Sequence, residues 1–351
     1  MTTGMAAVLA NLGLLAELAG TWQGRGFNIA ASPDFQNQNN VFLNLNLTSD
    51  TLAFDPIPAT IHNRGFSQPD IELFGMTYLQ HSTDATTGGP LHVEPGFWIN
   101  LPPTTQPAAN PPAGGQLVAR MWNIPHGASM VAQGFALPFF GPPVLSPGTD
   151  PTGGSNPAFS RFPSFNSTPL LPAFPDPKAT VFAAGSSEAQ SKTDGGFAEY
   201  TLPGPRELPP SITQQLVNDP IILLQQTIEQ QLADGYEFEG VALNISTASS
   251  IPFQPQPGPP SGTVDVPQFG GGIANLAFLR GISEQKPNLS VALVYATFWL
   301  EKLHHRDGRP PLMQLQYAQT ALVNFPARNV PGQPNMSWPH VTVSTLQKTF
   351  N

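Results

Sequence analysis

Val41-Phe-Leu-Asn-Leu-Asn-Leu-Thr48 alternates strictly, with Val41, Leu43, Leu45 and Leu47 on one face and mostly polar residues on the other. A period of two marks a half-buried strand, so the leucine face is expected to meet the core. Ile71 to His81, Leu91 to Asn100 and Gln116 to Phe135 also read as strands. Turn chemistry separates them at Asp84-Ala-Thr-Thr-Gly-Gly-Pro90 and around Ala113-Gly-Gly115. Further on, Val291 to Leu300 and Met313 to Phe325 carry the same signal. In the latter, Met313, Leu315, Tyr317, Ala321, Val323 and Phe325 share one face. His304-His305-Arg-Asp-Gly-Arg-Pro310, between these two runs, reads as a hairpin turn. A single helix is predicted, about Pro210 to Ala233, from Ile212, Leu216, Ile221, Leu224, Ile228 and Leu232. Asp219-Pro220 splits or restarts it, and Gly235 stands where a helix cap would.

These elements group into two β-rich blocks, about 18–140 and 289–351, within one domain. Between them lies an insertion of about 141–288, whose stretch from Gly141 to Pro177 carries ten prolines and the phenylalanines Phe159, Phe162, Phe165 and Phe174. An irregular tract that long is functional or assembly-related, so the insertion is a candidate homodimer interface. Many meandering strands with few helices predict an all-β fold, a closed antiparallel barrel that removes sheet edges and can enclose one ligand.

Composition narrows the chemistry. Of 351 residues, 41 are proline and 32 glycine, which argues against a helical bundle; proline costs about 3 kcal/mol inside a helix. Charged residues make up 11%, against roughly 25% in typical soluble domains, and the net charge is −9. That balance argues against a nucleic-acid partner, since phosphate binding needs clustered lysine and arginine. No basic stretch precedes the apolar N-terminus and no membrane-length apolar run occurs, so a soluble, cytoplasmic protein is the expectation. With no cysteine, thiolate metal sites and thiolate-ligated haem are excluded. No P-loop, H-E-x-x-H, G-x-S-x-G or dinucleotide fingerprint is present.

Leu18-Ala-Gly-Thr-Trp-Gln-Gly-Arg-Gly26 resembles the opening G-T-W-x-G-x-G of the calycin-type barrels, most closely that of the nitrobindins. In such a barrel Trp22 would plug the closed end. Asp84-Ala-Thr-Thr-Gly-Gly-Pro-Leu-His-Val-Glu-Pro-Gly-Phe97 is similar to the nitrobindin stretch D-x-x-T-G-x-P-(L/M)-H-x-E-x-G-(Y/F). Ile124-Pro-His-Gly-Ala-Ser-Met-Val-Ala-Gln-Gly134 resembles that family's next strand. Trp338-Pro-His-Val-Thr-Val-Ser-Thr-Leu-Gln-Lys348 is similar to its closing P-H-L-x-x-x-L segment. The four segments fall in the family's order and cover about 200 residues; the insertion is a departure from a family barrel about half this length.

The resemblance implies a b-type haem (haem b) at the barrel mouth, with His340 as the axial iron ligand. His92 would be a pocket histidine, and His126 lies where nitrobindins carry His or Gln. Trp22 and Tyr317 complete the expected cofactor-binding set. His92 and Glu94, two apart, belong on one side of a strand, where the carboxylate could orient the imidazole. The abundance of Phe, Leu and Met predicts an open, apolar distal pocket for a small diatomic or hydrophobic ligand. The family implies nitric oxide binding and peroxynitrite isomerisation. Haem-dependent peroxidase work would need a distal acid–base group, for which His92, His126, Arg25 and Arg120 are candidates. The competing class is a non-haem carrier of a hydrophobic small molecule in a lipocalin- or fatty-acid-binding-like barrel. His304 and His305 read as exposed turn residues.

Overall fold

A computed structural model of the chain describes residues 4–34, 39–66, 68–105, 108–111, 113–125, 127–145, 211–213, 216, 220–247, 250–252, 263–265, 271–275, 289–325 and 336–349. The strands in order are β1 (Gly20–Asp34), β2 (Asn39–Pro56), β3 (Ile61–Asn63), β4 (Ile71–Asp84), β5 (Pro90–Leu101), β6 (Thr104–Thr105), β7 (Ala108–Ala109) and β8 (Gln116–Ile124). They continue with β9 (Ala128–Phe140), β10 (Tyr236–Ser246), β11 (Ser250–Pro252), β12 (Thr263–Asp265), β13 (Gly272–Asn275), β14 (Ser290–His305), β15 (Leu312–Phe325) and β16 (Met336–Thr349). Helix α1 (Met5–Leu12) and a 3₁₀ segment (Gly13–Leu18) precede β1, and α2 (Ile222–Ala233) precedes β10.

The main sheet runs β10-β14-β15-β16-β1-β2-β4-β5-β8-β9, and β9 pairs back onto β10, closing an antiparallel barrel. The expected all-β closed barrel is therefore the fold. Its composition differs in one respect: β10, inside the predicted insertion, is a wall strand hydrogen-bonded to β9 and β14. Ile124 and Ala128 bound a turn that divides the predicted Gln116-to-Phe135 run into β8 and β9. Among the described residues no helix is long and apolar enough to cross a membrane.

Two apolar clusters sort the barrel into inside and outside. One draws on all ten wall strands: Trp22, Leu52, Met76, Trp98, Val118, Met130, Leu243, Phe298, Leu315 and Leu346. Only the lumen lets ten strands meet in one cluster. Val8, Leu12, Leu15 and Leu18 join it, so α1 and the 3₁₀ segment plug one end. Side chains at the strand ends tie that plug down. Gln116 accepts from Leu14 N at 2.9 Å and donates to Leu12 O at 3.1 Å, and Asn100 donates to Asn11 O at 2.7 Å. The N-terminal helix was not among the predicted elements, although Val8, Leu12 and Leu15 lie at helical spacing.

The second cluster covers the outer wall of β1, β2, β9, β10 and β14 to β16, with Val323 of the lumen-facing phase of β15 joining it at the end away from the plug. Leu224 and Ile228 of α2 pack there with Phe27, Ile29, Leu45, Trp299, Leu303, Val341 and Val343. Pro220 lies two residues before α2, and Gly235, at φ 93°, follows its end in a conformation that favours glycine. The described helix covers the second half of the expected range, and much of the first half lies outside the described residues.

This arrangement inverts the phase of β2. Leu45 packs in the outer cluster, while Thr48, Asp50, Leu52 and Phe54 occupy the lumen-facing phase. Of the predicted leucine face, Leu45 is buried and Leu47 partly buried in the cluster under α2 instead of inside the barrel.

Candidate functional site

β16 and β5 both run toward the plugged end from the end opposite it, where no described residue forms a plug, because each neighbouring pair from β16 through β1, β2 and β4 to β5 is antiparallel. Each carries a histidine near its start. His340 shares the two-residue phase of Thr342, Ser344 and Leu346, and Leu346 belongs to the lumen cluster, so His340 lies on the lumen wall near the open end. Its cross-strand neighbours are Ala30 on β1 and Ala321 on β15, side chains that take little room beside an imidazole. Next toward the plug, Asn28 donates to Thr342 Oγ1 at 2.7 Å.

His92 occupies the corresponding phase of β5, with Glu94 and Trp98, and is four strands from β16 in a ring of ten. The two histidines thus belong to nearly opposite walls of the same mouth. His92 Nε2 lies 3.3 Å from Glu94 Oε2; its side chain is 31% exposed and that of Glu94 only 1%. The predicted His92–Glu94 pairing is present.

Beneath the mouth the lumen is polar. Glu94 Oε1 accepts from Tyr78 OH at 2.5 Å and from the Arg120 guanidinium. Arg120 also donates from Nε to Tyr78 OH at 2.9 Å and from Nη1 to Gln319 Oε1 at 2.6 Å. Four aromatic rings surround this guanidinium, those of Trp122, Tyr78, Phe298 and Trp98, with centroids 4.6 to 5.8 Å from its carbon. Burial disfavours the Glu94 carboxylate. Arg120 beside it, helped by His92 and Tyr78, outweighs that and holds its pKa below the ordinary value. Burial pushes the Tyr78 phenol well above its ordinary value.

A second polar group completes this floor. Asp50 Oδ2 accepts from Thr48 Oγ1 at 2.9 Å and from Ser344 Oγ at 2.7 Å, whereas its Oδ1 is buried with no hydrogen-bond partner. Gln80 donates to Tyr317 OH at 3.0 Å. Burial, then the charges of Asp50 and Glu94, raise the Tyr317 phenol well above its ordinary pKa. The lumen is thus apolar toward the plug and polar in its middle, in contrast to the apolar pocket expected from composition.

The remaining sequence candidates separate. Tyr317 lies on the lumen wall between His340 and the plug. Trp22 is fully buried at the plugged end, donating to Leu18 O at 2.7 Å, so it closes the barrel and does not line the mouth. Arg25 alternates out of phase with Trp22 and is exposed on the outer wall; it is Arg120 that enters the lumen. His126 lies outside the described residues, as does most of the insertion proposed as a dimer interface. His304 and His305 sit at the plugged end, on Glu239 Oε1 at 2.9 Å and Asp234 O at 2.7 Å. Among the described residues no three His, Asp or Glu side chains gather as a metal-binding group.

No protein-family model matches the chain, and the curated proteins yield no match. Among solved structures, the crystal structure of Rv2717c from M. tuberculosis is similar over 97% of this chain and 98% of its own, at 12% identity and a TM-score of 0.36.

Asp50, Tyr78 and Gln319 were not legible as site residues. Asp50 is in the polar phase of β2, which alternation alone assigns to solvent. Tyr78 and Gln319 carry no local motif. A polar residue opposite a covered apolar face would have been the available signal.

Proposed function

We propose that the protein binds a b-type haem in the barrel mouth with His340 as its axial ligand. The observation that carries this reading is the position of His340: on the lumen-facing phase of β16, near the open end, between Ala30 and Ala321. A single imidazole is the donor set that suits an iron whose other ligands come from a porphyrin. The similarity of Trp338-Pro-His340 to the nitrobindin closing segment supports the same choice. When bound, the haem would supply an iron centre able to hold a small ligand.

The chain's own residues do the rest. His340 would hold the iron from one wall, and α1 with the 3₁₀ segment closes the lumen at the far end. His92 faces the mouth from the opposite wall. The charged pair Glu94–Arg120 sets the electrostatics below it.

The test is an absorption spectrum of the purified protein, before and after addition of haemin. A Soret band is expected, and His340→Ala should abolish it or weaken haem retention at least tenfold. A colourless protein that takes up no haemin would sink this reading; tight binding of an apolar fluorophore by that colourless protein would then favour the carrier function.

A further inference from the structure

We infer that His92 is the proton-accepting group of the mouth, and that the site selects small weak acids that give up one proton on binding, such as hydroperoxides, over neutral diatomics. The inference rests on the haem reading above and names the ligand class for that same site.

The argument begins at Glu94. Its Oε1 is taken by Arg120 and Tyr78, and its Oε2 faces His92 Nε2 at 3.3 Å. An ionised carboxylate only accepts hydrogen bonds, so the proton shared with it must sit on Nε2. That fixes the tautomer and leaves Nδ1 as the ring's basic lone pair. Exposure separates the two residues: at 31% the imidazole is reachable from the mouth, while Glu94, at 1%, is not.

A proton arriving on Nδ1 makes an imidazolium, and the Glu94 carboxylate beneath stabilises it in a low-dielectric wall. In the step itself the H–X bond of the ligand breaks and its electron pair stays on X. The proton passes to Nδ1, and the Nε2 proton stays on Nε2, donated to Glu94 Oε2. Charge and atoms balance without a further reactant. A neutral diatomic uses none of this machinery.

Two measurements test this. In haem-free protein, ¹⁵N NMR should show His92 as the Nε2–H tautomer; an Nδ1–H tautomer overturns the inference. In haemin-loaded protein, association rates of hydrogen cyanide (ferric) and carbon monoxide (ferrous) are compared for wild type and His92→Gln. The cyanide-to-carbon-monoxide rate ratio should fall at least tenfold in the variant, a lower bound set beneath the factor of about 10²–10⁴ that a positioned acid–base group contributes. In His92→Ala, added imidazole should restore part of the ratio. Haemin uptake with an unchanged ratio overturns this inference alone, whereas failure to take up haemin overturns the haem reading and this inference with it.

Discussion

Arg120 is the residue on which the polar floor depends. Its guanidinium is buried with Glu94 at 1% exposure each, and among the described residues it is the buried cation paired with that carboxylate. A buried pair of this kind adds little over an apolar substitute, but loss of one partner strands the other charge. Arg120→Met should therefore destabilise the protein by about 3–5 kcal/mol, read as a shift of the urea midpoint at unchanged slope. Glu94→Gln combined with Arg120→Met leaves no unpaired ion and should recover a substantial part of that loss. A double variant no more stable than the single one would show that aromatic packing around Arg120, not charge pairing, holds the floor together. Asp50 is the contrasting case: hydroxyls of Thr48 and Ser344 satisfy one oxygen and nothing in the described structure satisfies the other. Buried acceptors left open are uncommon, and this one marks the lumen as a place where a donor would be welcome.

At the scale of elements, α2 converts an outer barrel wall into a second core, and one carboxyl sits inside that interface. Glu301 on β14 is fully buried, receives Gln314 Nε2 at 2.6 Å, and through Gln314 meets Gln231 of α2. Burial raises its pKa to about 8, with Gln314 opposing. The folded state thus holds a proton that the unfolded chain releases near its ordinary value of 4.5. Below that value the group contributes nothing to the pH dependence; from there up to about pH 8 it costs the fold a growing amount, roughly 5 kcal/mol at the upper end. Glu301→Gln should be more stable than wild type by a few kcal/mol at pH 8, and the difference should vanish near pH 4, as measured by denaturant melts across pH. A constant difference at all pH values would assign the effect to packing. The same interface explains which elements the sequence could disclose. β4, β5, β14 and β15 were readable because alternation needs no knowledge of what lies on either side. The direction of β2 was not, since Leu45 faces α2 and Asp50 faces a polar lumen, and alternation carries no sign. β10 was hidden in the insertion because Phe238-Glu-Gly-Val-Ala-Leu-Asn-Ile245 acquires its meaning only from β9 and β14, far away in the chain. The site was legible where a motif carried it, at His340 and at His92 with Glu94, and illegible where distant strands bring single side chains together, as Tyr78, Arg120 and Gln319 do.

For the whole molecule, the decisive contact is the seam where β9 meets β10, because every other wall pairing could exist in an open sheet. Gly134 sits at that seam opposite Ile245, and a Cβ placed there would lie 1.8 Å from the Asn244 carbonyl oxygen. That contact involves backbone, so no side-chain rotation relieves it and the two strands would have to part. Gly272 on β13 pairs with the same strand at Val131, yet a Cβ there meets nothing within 4 Å. The pair makes a matched test of closure. Gly134→Val should cost about 3 kcal/mol or more, since backbone must move, and it should expose the edges of β9 and β10. Gly272→Ala should stay within about 0.5 kcal/mol of wild type. Urea unfolding gives the first quantity, and size-exclusion chromatography detects the self-association that exposed strand edges promote. If closure also shapes the mouth, Gly134→Val should lose haemin uptake under conditions where it remains folded, although β9 is two strands from β5 and, across the seam, four from β16. Retained uptake with a broken seam would mean that the arc from β16 through β1, β2 and β4 to β5 forms the pocket by itself, and that the closing strands serve stability alone.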